Sequence, residues 1–360
     1  MLPMVPNTSV PFLELGSNGT ILEDCNYTES WNWLHSLQPA YMSAICALGV
    51  VGNSFVLCVF WLQGKHLTVA DVYLSNLAAA DLVMSVCLPF WVVTVAQGFQ
   101  WSFGTLLCKL VNTAISMNYY CSILFLVVVS VDRYLALVKP MSFGRRRSWS
   151  QAKRVCFTIW ALGFLLSVPD LLFRSVKQFP DLGVDACYLN YPHNSWKVQK
   201  NITTNTVGFL IPLPVISFCV YHIIRALQDT EFPRYSKERR ASCLVLIVLV
   251  AYCICLFPHQ VVTFLDTLDY FEVTSGCLWG HVLDIGTQLA CYLAYGNSAL
   301  NPFLYVIVGN HFRRRAKQMF RQVLNHGVKD RAVNLISATK FSHSSKLSLE
   351  QIKIQSPLTV

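Results

Sequence analysis

Seven stretches of the chain are apolar for long enough to cross a membrane as helices: about 39–63, 69–96, 105–138, 152–173, 203–227, 240–266 and 282–308. Each contains or approaches the ~20 apolar residues that span ~30 Å of hydrocarbon at ~1.5 Å per residue. No run of short alternating segments is visible, so the pattern predicts helices and not barrel strands. Polar positions fall between the stretches and gather at their ends. The expected fold is an all-α membrane protein, a seven-transmembrane helix bundle over 39–308, preceded by a tail over 1–38. Beyond it, Phe312, Ala316, Phe320 and Leu324 recur every four residues, with Arg313, Arg314, Arg315 and Lys317 between them. That spacing predicts a short amphipathic eighth helix over 309–325 on the surface of a lipid bilayer. A flexible cytoplasmic tail is expected over 326–360.

Composition removes the main alternative. The chain is 54% hydrophobic and 13% charged, against roughly 25% charged residues in a soluble domain. At 360 residues it is long enough for two soluble domains, but the apolar runs exclude them. The net charge of +9 is unevenly placed. Arg145, Arg146, Arg147, Lys153 and Arg154 follow the third stretch, and Arg225, Arg234, Lys237, Arg239 and Arg240 lie around the connection of the fifth to the sixth. The first 38 residues contain no Lys or Arg. The positive-inside rule then puts the N-terminus outside a plasma membrane and the C-terminus in the cytoplasm. Basic charge beside spanning helices suits anionic lipid, and no nucleic-acid partner is expected.

Two further signals agree with that orientation. The sequons at Asn7, Asn18, Asn26 and Asn201 all fall on the outer side and are expected to carry glycans. Of 14 cysteines, Cys25, Cys108, Cys187 and Cys277 lie in outer loops or at outer helix ends. Four cysteines allow three pairings, and an oxidising exterior favours their formation. We expect Cys108–Cys187, tying the third helix to the long loop, and Cys25–Cys277, tying the tail to the last loop. The N-terminus lacks a Lys/Arg-led apolar run, so no cleaved signal peptide is expected.

Polar residues inside the apolar stretches carry the functional information, because hydrocarbon offers them no hydrogen bonds. Asp81 interrupts the second stretch, and Asn118, Ser122, Asn297, Ser298 and Asn301 offer oxygen atoms on other helices. Together they read either as ligands of a hydrated cation such as sodium or as a hydrogen-bonded cluster that holds the bundle. Asp132-Arg133-Tyr134 ends the third stretch with opposite charges at the membrane edge, suited to a latch. Asn301-Pro302-Phe303-Leu304-Tyr305 lies near the inner end of the seventh, and Pro89, Pro169, Pro212 and Pro258 interrupt four others. Proline removes a backbone hydrogen bond and kinks a helix.

Asn53, Asp81, Asp132-Arg133-Tyr134, Trp160, Pro212, Pro258 and Asn301-Pro302-Phe-Leu-Tyr305 provide one signature position in each of seven helices. On these residues the chain resembles the rhodopsin-like G-protein-coupled receptors over roughly 39–325. Within them it is similar to the bradykinin (kinin) receptors through Asn76-Leu-Ala-Ala-Ala-Asp-Leu, Leu88-Pro-Phe-Trp, Asp132-Arg-Tyr-Leu-Ala-Leu-Val-Lys, Thr263-Phe-Leu-Asp-Thr-Leu and Tyr305-Val-Ile-Val-Gly. The resemblance implies a receptor, not an enzyme, that binds an Arg-containing kinin peptide and activates a heterotrimeric G protein. The Gq class, phospholipase C and calcium release are implied with it, as are arrestin and receptor kinases acting on Ser342, Ser344, Ser345 and Ser348. Kinin receptors that prefer peptides without the terminal Arg carry a Lys where this chain has Ser116. An uncharged Ser there points to the type-2 kind, which takes the full-length peptide.

The residues also describe a ligand end. Asp266, Asp269, Glu272 and Asp284 cluster on the outer side with no Lys or Arg between 266 and 284. Such acids attract a guanidinium, which pairs bidentately with carboxylates; the alternative is a solvated acidic rim. The resemblance favours the first, since acids matching Asp266 and Asp284 recognise the peptide in kinin receptors. Gln260, Gln288 and Arg174 are further candidates, Arg174 for a peptide carboxylate. Phe90, Trp91, Trp101, Tyr119, Phe209, Phe264 and Tyr292 are candidates for peptide side chains.

At the other end, Glu238 precedes Pro258 by twenty residues and is expected to latch Arg133, or else to be an exposed acid in a basic loop. Two departures from the family pattern bear on switching. Leu256 replaces a Trp in the sixth helix and Val220 replaces a Tyr in the fifth. A chemokine or other peptide receptor is the nearest rival reading. An ion channel or transporter is remote, because the sequence shows no repeated pore motif and no second deep charge. No cofactor is expected beyond a sodium ion at Asp81.

Overall fold

The computed structural model describes residues 28–62, 67–139, 148–180, 183–193, 195–228, 236–271, 273, 277–308 and 312–321. Seven long helical spans pass back and forth through one body. They are α1 (Thr28–Trp61), α2 (Val69–Ala96), α3 (Gly104–Val138), α4 (Trp149–Phe173), a fifth span made of α5 (Ser195–Asn205) and α6 (Pro212–Gln228), α7 (Ser236–Tyr270) and α8 (Cys277–Val308). Among the described residues, six of these are long and apolar enough to cross a membrane. Residues 312–321 form a separate short helix, α9, which carries exposed Arg313, Arg314, Lys317 and Phe320.

The observed helices are longer than the apolar stretches. α1 begins at Thr28 and runs through Pro39, α7 continues to Tyr270, and α8 begins at Cys277. The reason is that hydropathy sees only the lipid-immersed part, whereas backbone bonding carries a helix on into the polar layer. α2 starts where Thr68 caps it: its hydroxyl accepts from Asp71 N–H while the Asp71 carboxylate accepts from Thr68 N–H at 2.7 Å. That reciprocal box satisfies donors which a helix start otherwise leaves bare.

The fifth span differs most from expectation. Its first part starts eight residues early, and residues Thr206–Leu210 form a π-turn. Ile211 N–H reaches back five residues to Thr206 C=O at 3.0 Å. Pro212 then begins α6, where its missing N–H costs nothing. The wide turn presents backbone at Gly208, whose carbonyl accepts from the Tyr252 hydroxyl of α7 at 3.1 Å.

α3 is the central helix, packing against α2, α4, α6 and α7, while α1 packs on α2 and α8. Close approach depends on small residues, as is usual between membrane helices. A Cβ on Gly52 of α1 would lie 2.9 Å from the Pro302 ring of α8, and one on Gly163 of α4 would collide with Cys121 of α3.

At one end, an antiparallel hairpin that hydropathy does not reveal closes over the bundle: β1 (Arg174–Phe179) pairs with β2 (Val184–Leu189), with Val176 opposite Cys187. The Cys108–Cys187 bond pins it to α3 as expected. The turn before α3 joins in, since Trp101 N–H donates to Asp185 C=O at 2.7 Å. Trp101, Trp91, Leu88, Ile115, Cys108 and Cys187 form one buried apolar cluster beneath the hairpin. Cys25, the side chain of Cys277 and the sequons at Asn7, Asn18 and Asn26 lie outside the described residues, as do Ser342, Ser344, Ser345 and Ser348.

Gly163→Leu is expected to lower the melting temperature of the detergent-solubilised protein by several degrees, because overpacking a tight contact costs about 1–3 kcal/mol. Gly280→Ala, where an added Cβ meets nothing within 4 Å among the described residues, is the control and should leave it unchanged or slightly raised.

Candidate functional site

Two polar clusters and the cavity between them occupy the middle of the bundle. The deeper one is built on Asp81, which is fully buried on α2. Its Oδ1 accepts from Asn118 Nδ2 at 3.1 Å and Ser122 Oγ at 3.2 Å, both on α3, and its Oδ2 accepts from Asn301 Nδ2 of α8 at 2.7 Å. A neighbouring bond joins Asn53 Nδ2 of α1 to the Ser298 carbonyl at 3.1 Å. One carboxylate thereby ties α2, α3 and α8 together. Of the five residues expected around Asp81, Asn118, Ser122, Ser298 and Asn301 bond it through their side chains; Asn297 lies alongside on the cavity wall. One carboxylate, two hydroxyls and several amide oxygens around a small space suit a hard cation. The same groups also satisfy Asp81 by hydrogen bonds alone.

Above this cluster is a cavity of about 40 Å³, lined by Ile115, Ser116, Tyr119, Lys200, Leu256 and His259 among others, and by Asn118 and Ser122 at its floor. Space on this scale holds a few waters, at roughly 10–15 Å³ each. Leu256, in place of the expected Trp, forms part of its wall. Gln260 donates through Nε2 to the Tyr119 hydroxyl, and the ring of buried His259 lies 6.0 Å from that of Tyr119. Gly208 leaves the room that this contact needs, since a Cβ there would strike the same hydroxyl.

The second cluster was not legible as a cluster in the sequence. Asp170, near the end of α4, is buried and accepts from Ser116 Oγ at 2.6 Å and from Lys200 Nζ at 2.7 Å, and Arg174 Nε stands 3.7 Å away. Three helices and the start of β1 meet at one carboxylate. This corrects two expectations. The bundle does contain a second deep charge, and it is internally paired. Arg174 is not a free partner for a peptide carboxylate, because its guanidinium faces Asp170 and its Nη1 donates to the Cys187 carbonyl at 3.5 Å. Two cations share one carboxylate, so the cluster keeps a positive charge. Uncharged Ser116 therefore does not make its surroundings uncharged: Lys200 supplies the charge from a different helix. The available signal was Asp170 standing as the one charged residue in the run Phe164–Phe173.

Asp266 is likewise occupied. Lys197 Nζ lies 2.9 Å from its Oδ1, and Asn201 Nδ2 donates to its Oδ2 at 2.8 Å. Asn201 sits inside α5, and the nitrogen a glycan would use is engaged with Asp266, which runs against the expected glycosylation there. Asp284 and Asp269 are partly buried on α8 and α7, and Gln288 is buried. Phe264 does not face the cavity. It extends the exposed stripe of Ile247, Val250, Ile254, Phe257 and Val261 along α7, the face opposite Leu256, His259 and Gln260. Among the other aromatic candidates, Tyr119 lines the cavity, while Trp91 and Trp101 belong to the core under the hairpin.

At the far end of α3, Arg133 Nη2 pairs with Asp132 Oδ2 at 2.7 Å and Nε adds a second bond at 3.2 Å. Tyr134 packs on Phe218 and His222 of α6, with ring centroids 5.4 and 5.7 Å apart. Tyr305 and Pro302 are buried on α8. The Glu238 side chain, the proposed latch partner, lies outside the described residues.

Removing one member of a buried ion cluster costs about 3–5 kcal/mol when a charge is left unpaired. Asp170→Asn strands Lys200 and Arg174 together, so it should destabilise the solubilised protein far more than Lys200→Gln, which leaves Arg174 facing Asp170. Equal melting temperatures for the two variants would contradict this ordering.

The family described as 7 transmembrane receptor (rhodopsin family) matches residues 52–305. The mouse protein named B2 bradykinin receptor is 45% identical over 89% of this chain and 83% of its own length. Its human counterpart is 45% identical over 86% of this chain and 81% of its own. The rhesus macaque B1 bradykinin receptor is 41% identical over 82% of this chain and 86% of its own. With buried Asp81 tied to Asn118 and Asn301, Asp132 paired to Arg133, and the hairpin bonded to α3, the chain belongs to the bradykinin receptors of the rhodopsin-type seven-transmembrane family.

Proposed function

We propose that this receptor binds an Arg-containing kinin peptide at the hairpin end of the bundle and activates a G protein at the Asp132-Arg133-Tyr134 end. The observation that carries the reading is the arrangement of charge that α5 gathers between Asp170 of α4 and Asp266 of α7. Asp266 offers a carboxylate within reach of solvent, and the Asp170 cluster keeps a net positive charge that reaches the cavity wall at Lys200. A peptide with a guanidinium at one point and a carboxylate at another complements both. Asp284 on the adjoining helix is the second candidate acid. The greater identity to B2 than to B1 receptors supports the type-2 kind.

Agonist contacts at Tyr119, Leu256 and Gln260 would shift α3 against α7, biasing a two-state equilibrium whose other end is the Asp132–Arg133 pair. Leu256 is smaller than the Trp it replaces, so repacking of the cavity, and not rotation of one indole, transmits the change. Coupling to the Gq class with phospholipase C and calcium release, and phosphorylation-dependent arrestin binding through the tail serines, are part of this proposal. We also assign Asp81, Ser122 and the amide oxygens of Asn118, Asn297 and Asn301 as the holders of a sodium ion in the resting receptor.

Cells expressing the chain should release calcium on exposure to bradykinin and respond much less to its des-Arg form. Asp266→Asn combined with Asp284→Asn should weaken bradykinin binding at least about tenfold; normal binding by a surface-expressed double variant would refute the acidic pocket. Sodium should lower agonist affinity in membranes from these cells, and Asp81→Asn should abolish that dependence. Equal sodium dependence in the variant would leave Asp81 as a purely structural cluster.

A further inference from the structure

α5 places three polar side chains toward its neighbours at positions 197, 200 and 201, which share one helical face. Lys200 reaches Asp170 of α4, and Lys197 and Asn201 reach Asp266 of α7. The two lysines make pairs of different kinds. Lys200 and Asp170 have side chains 17% and 2% exposed, and Asp170 has Ser116 and Arg174 as additional partners. Lys197 is 38% exposed and Asp266 17%. Water can reach the second pair, and among the described residues no other cation holds Asp266.

We propose that Lys197 is a specificity-determining residue that acts as a tethered competitor, occupying Asp266 in the free receptor and leaving it when the guanidinium of a cationic peptide pairs there. The inference rests on the reading of Asp266 as a ligand acid. Its physical content is an exchange of partners. Each carboxylate oxygen can accept more than one hydrogen bond, so Asn201 can remain on Oδ2 while an incoming guanidinium takes the place of the ammonium. The released Lys197 returns to solvent, which its exposure allows. A cation held on the same protein is present at high effective concentration, so it lowers the affinity of every peptide cation that needs Asp266. It does so without touching the peptide. Lys197 also keeps Asp266 from being an uncompensated charge in the empty receptor.

An exposed or half-exposed ion pair of this kind changes an equilibrium by at most about fivefold, which sets the size of the effect. Bradykinin binding is measured on membranes from cells expressing the full chain, with surface amount followed by an epitope tag. Lys197→Gln is expected to raise affinity about two- to fivefold, and Lys197→Arg, which keeps the lock, should not. On an Asp266→Asn background, Lys197→Gln should have no effect, because the lock has lost its keeper. Unchanged or weaker binding by Lys197→Gln overturns the proposal, as does an equal gain on the Asp266→Asn background, which would show a general charge effect at the mouth. If Asp266→Asn alone binds bradykinin like the unaltered receptor, the ligand role of Asp266 fails first. If it binds weakly while Lys197→Gln changes nothing, only the tethered competitor fails.

Discussion

Inside a hydrocarbon slab a polar group has no water to turn to, and this constraint organises most of what the bundle does. Backbone groups meet it by forming helices. Side chains meet it only across helices, and each solution joins spans that apolar packing alone would leave free to slide. Asp81 draws Asn118, Ser122 and Asn301 to one point. Asp170 draws Ser116, Lys200 and Arg174 to another. The two points lie at the floor and wall of the same cavity, so the spaces available to ligand and water are set by the way the buried carboxylates are satisfied.

The hairpin end is built on a different balance. There the acids and cations are within reach of solvent, and the pairs they make are exchangeable. Lys197 on Asp266 is the clearest case, because one helix supplies both a permanent partner for Asp170 and a replaceable one for Asp266. A ligand that brings its own charges enters a set of existing pairs. Its affinity is then the difference between new pairs and old ones, not the sum of the new. The π-turn at 206–210 belongs to the same region. Its widened backbone gives Tyr252 a carbonyl to bond and gives Tyr119 the space to meet Gln260.

Much of this was legible in the chain itself. Asp81, Asn118, Ser122 and Asn301 stand out because polar residues in apolar runs are rare and need partners, and they meet as expected. Asp132 and Arg133 pair as neighbours in sequence must be able to. Arg174, Phe264 and Asn201 were less legible. Sequence supplies only the residue type and approximate depth of each, whereas its role follows from the direction of its side chain. One step around a helix moves a residue by about 100°, and a kinked or π-containing span loses a simple phase. Phe264 thus belongs to the lipid-facing stripe, and Asn201 points at Asp266.

By itself the sequence determined the number and approximate extent of the spans, the class of molecule and the buried polar residues that matter, because hydropathy and charge act locally along the chain. Tertiary structure alone decided which charges neutralise one another. Asp170 and Lys200 are 30 residues apart, and Lys197 and Asp266 are 69 apart. No local rule joins them. Pairing across helices depends on helix rotation and on where a hairpin or a π-turn shifts the register, and these are properties of the packed bundle.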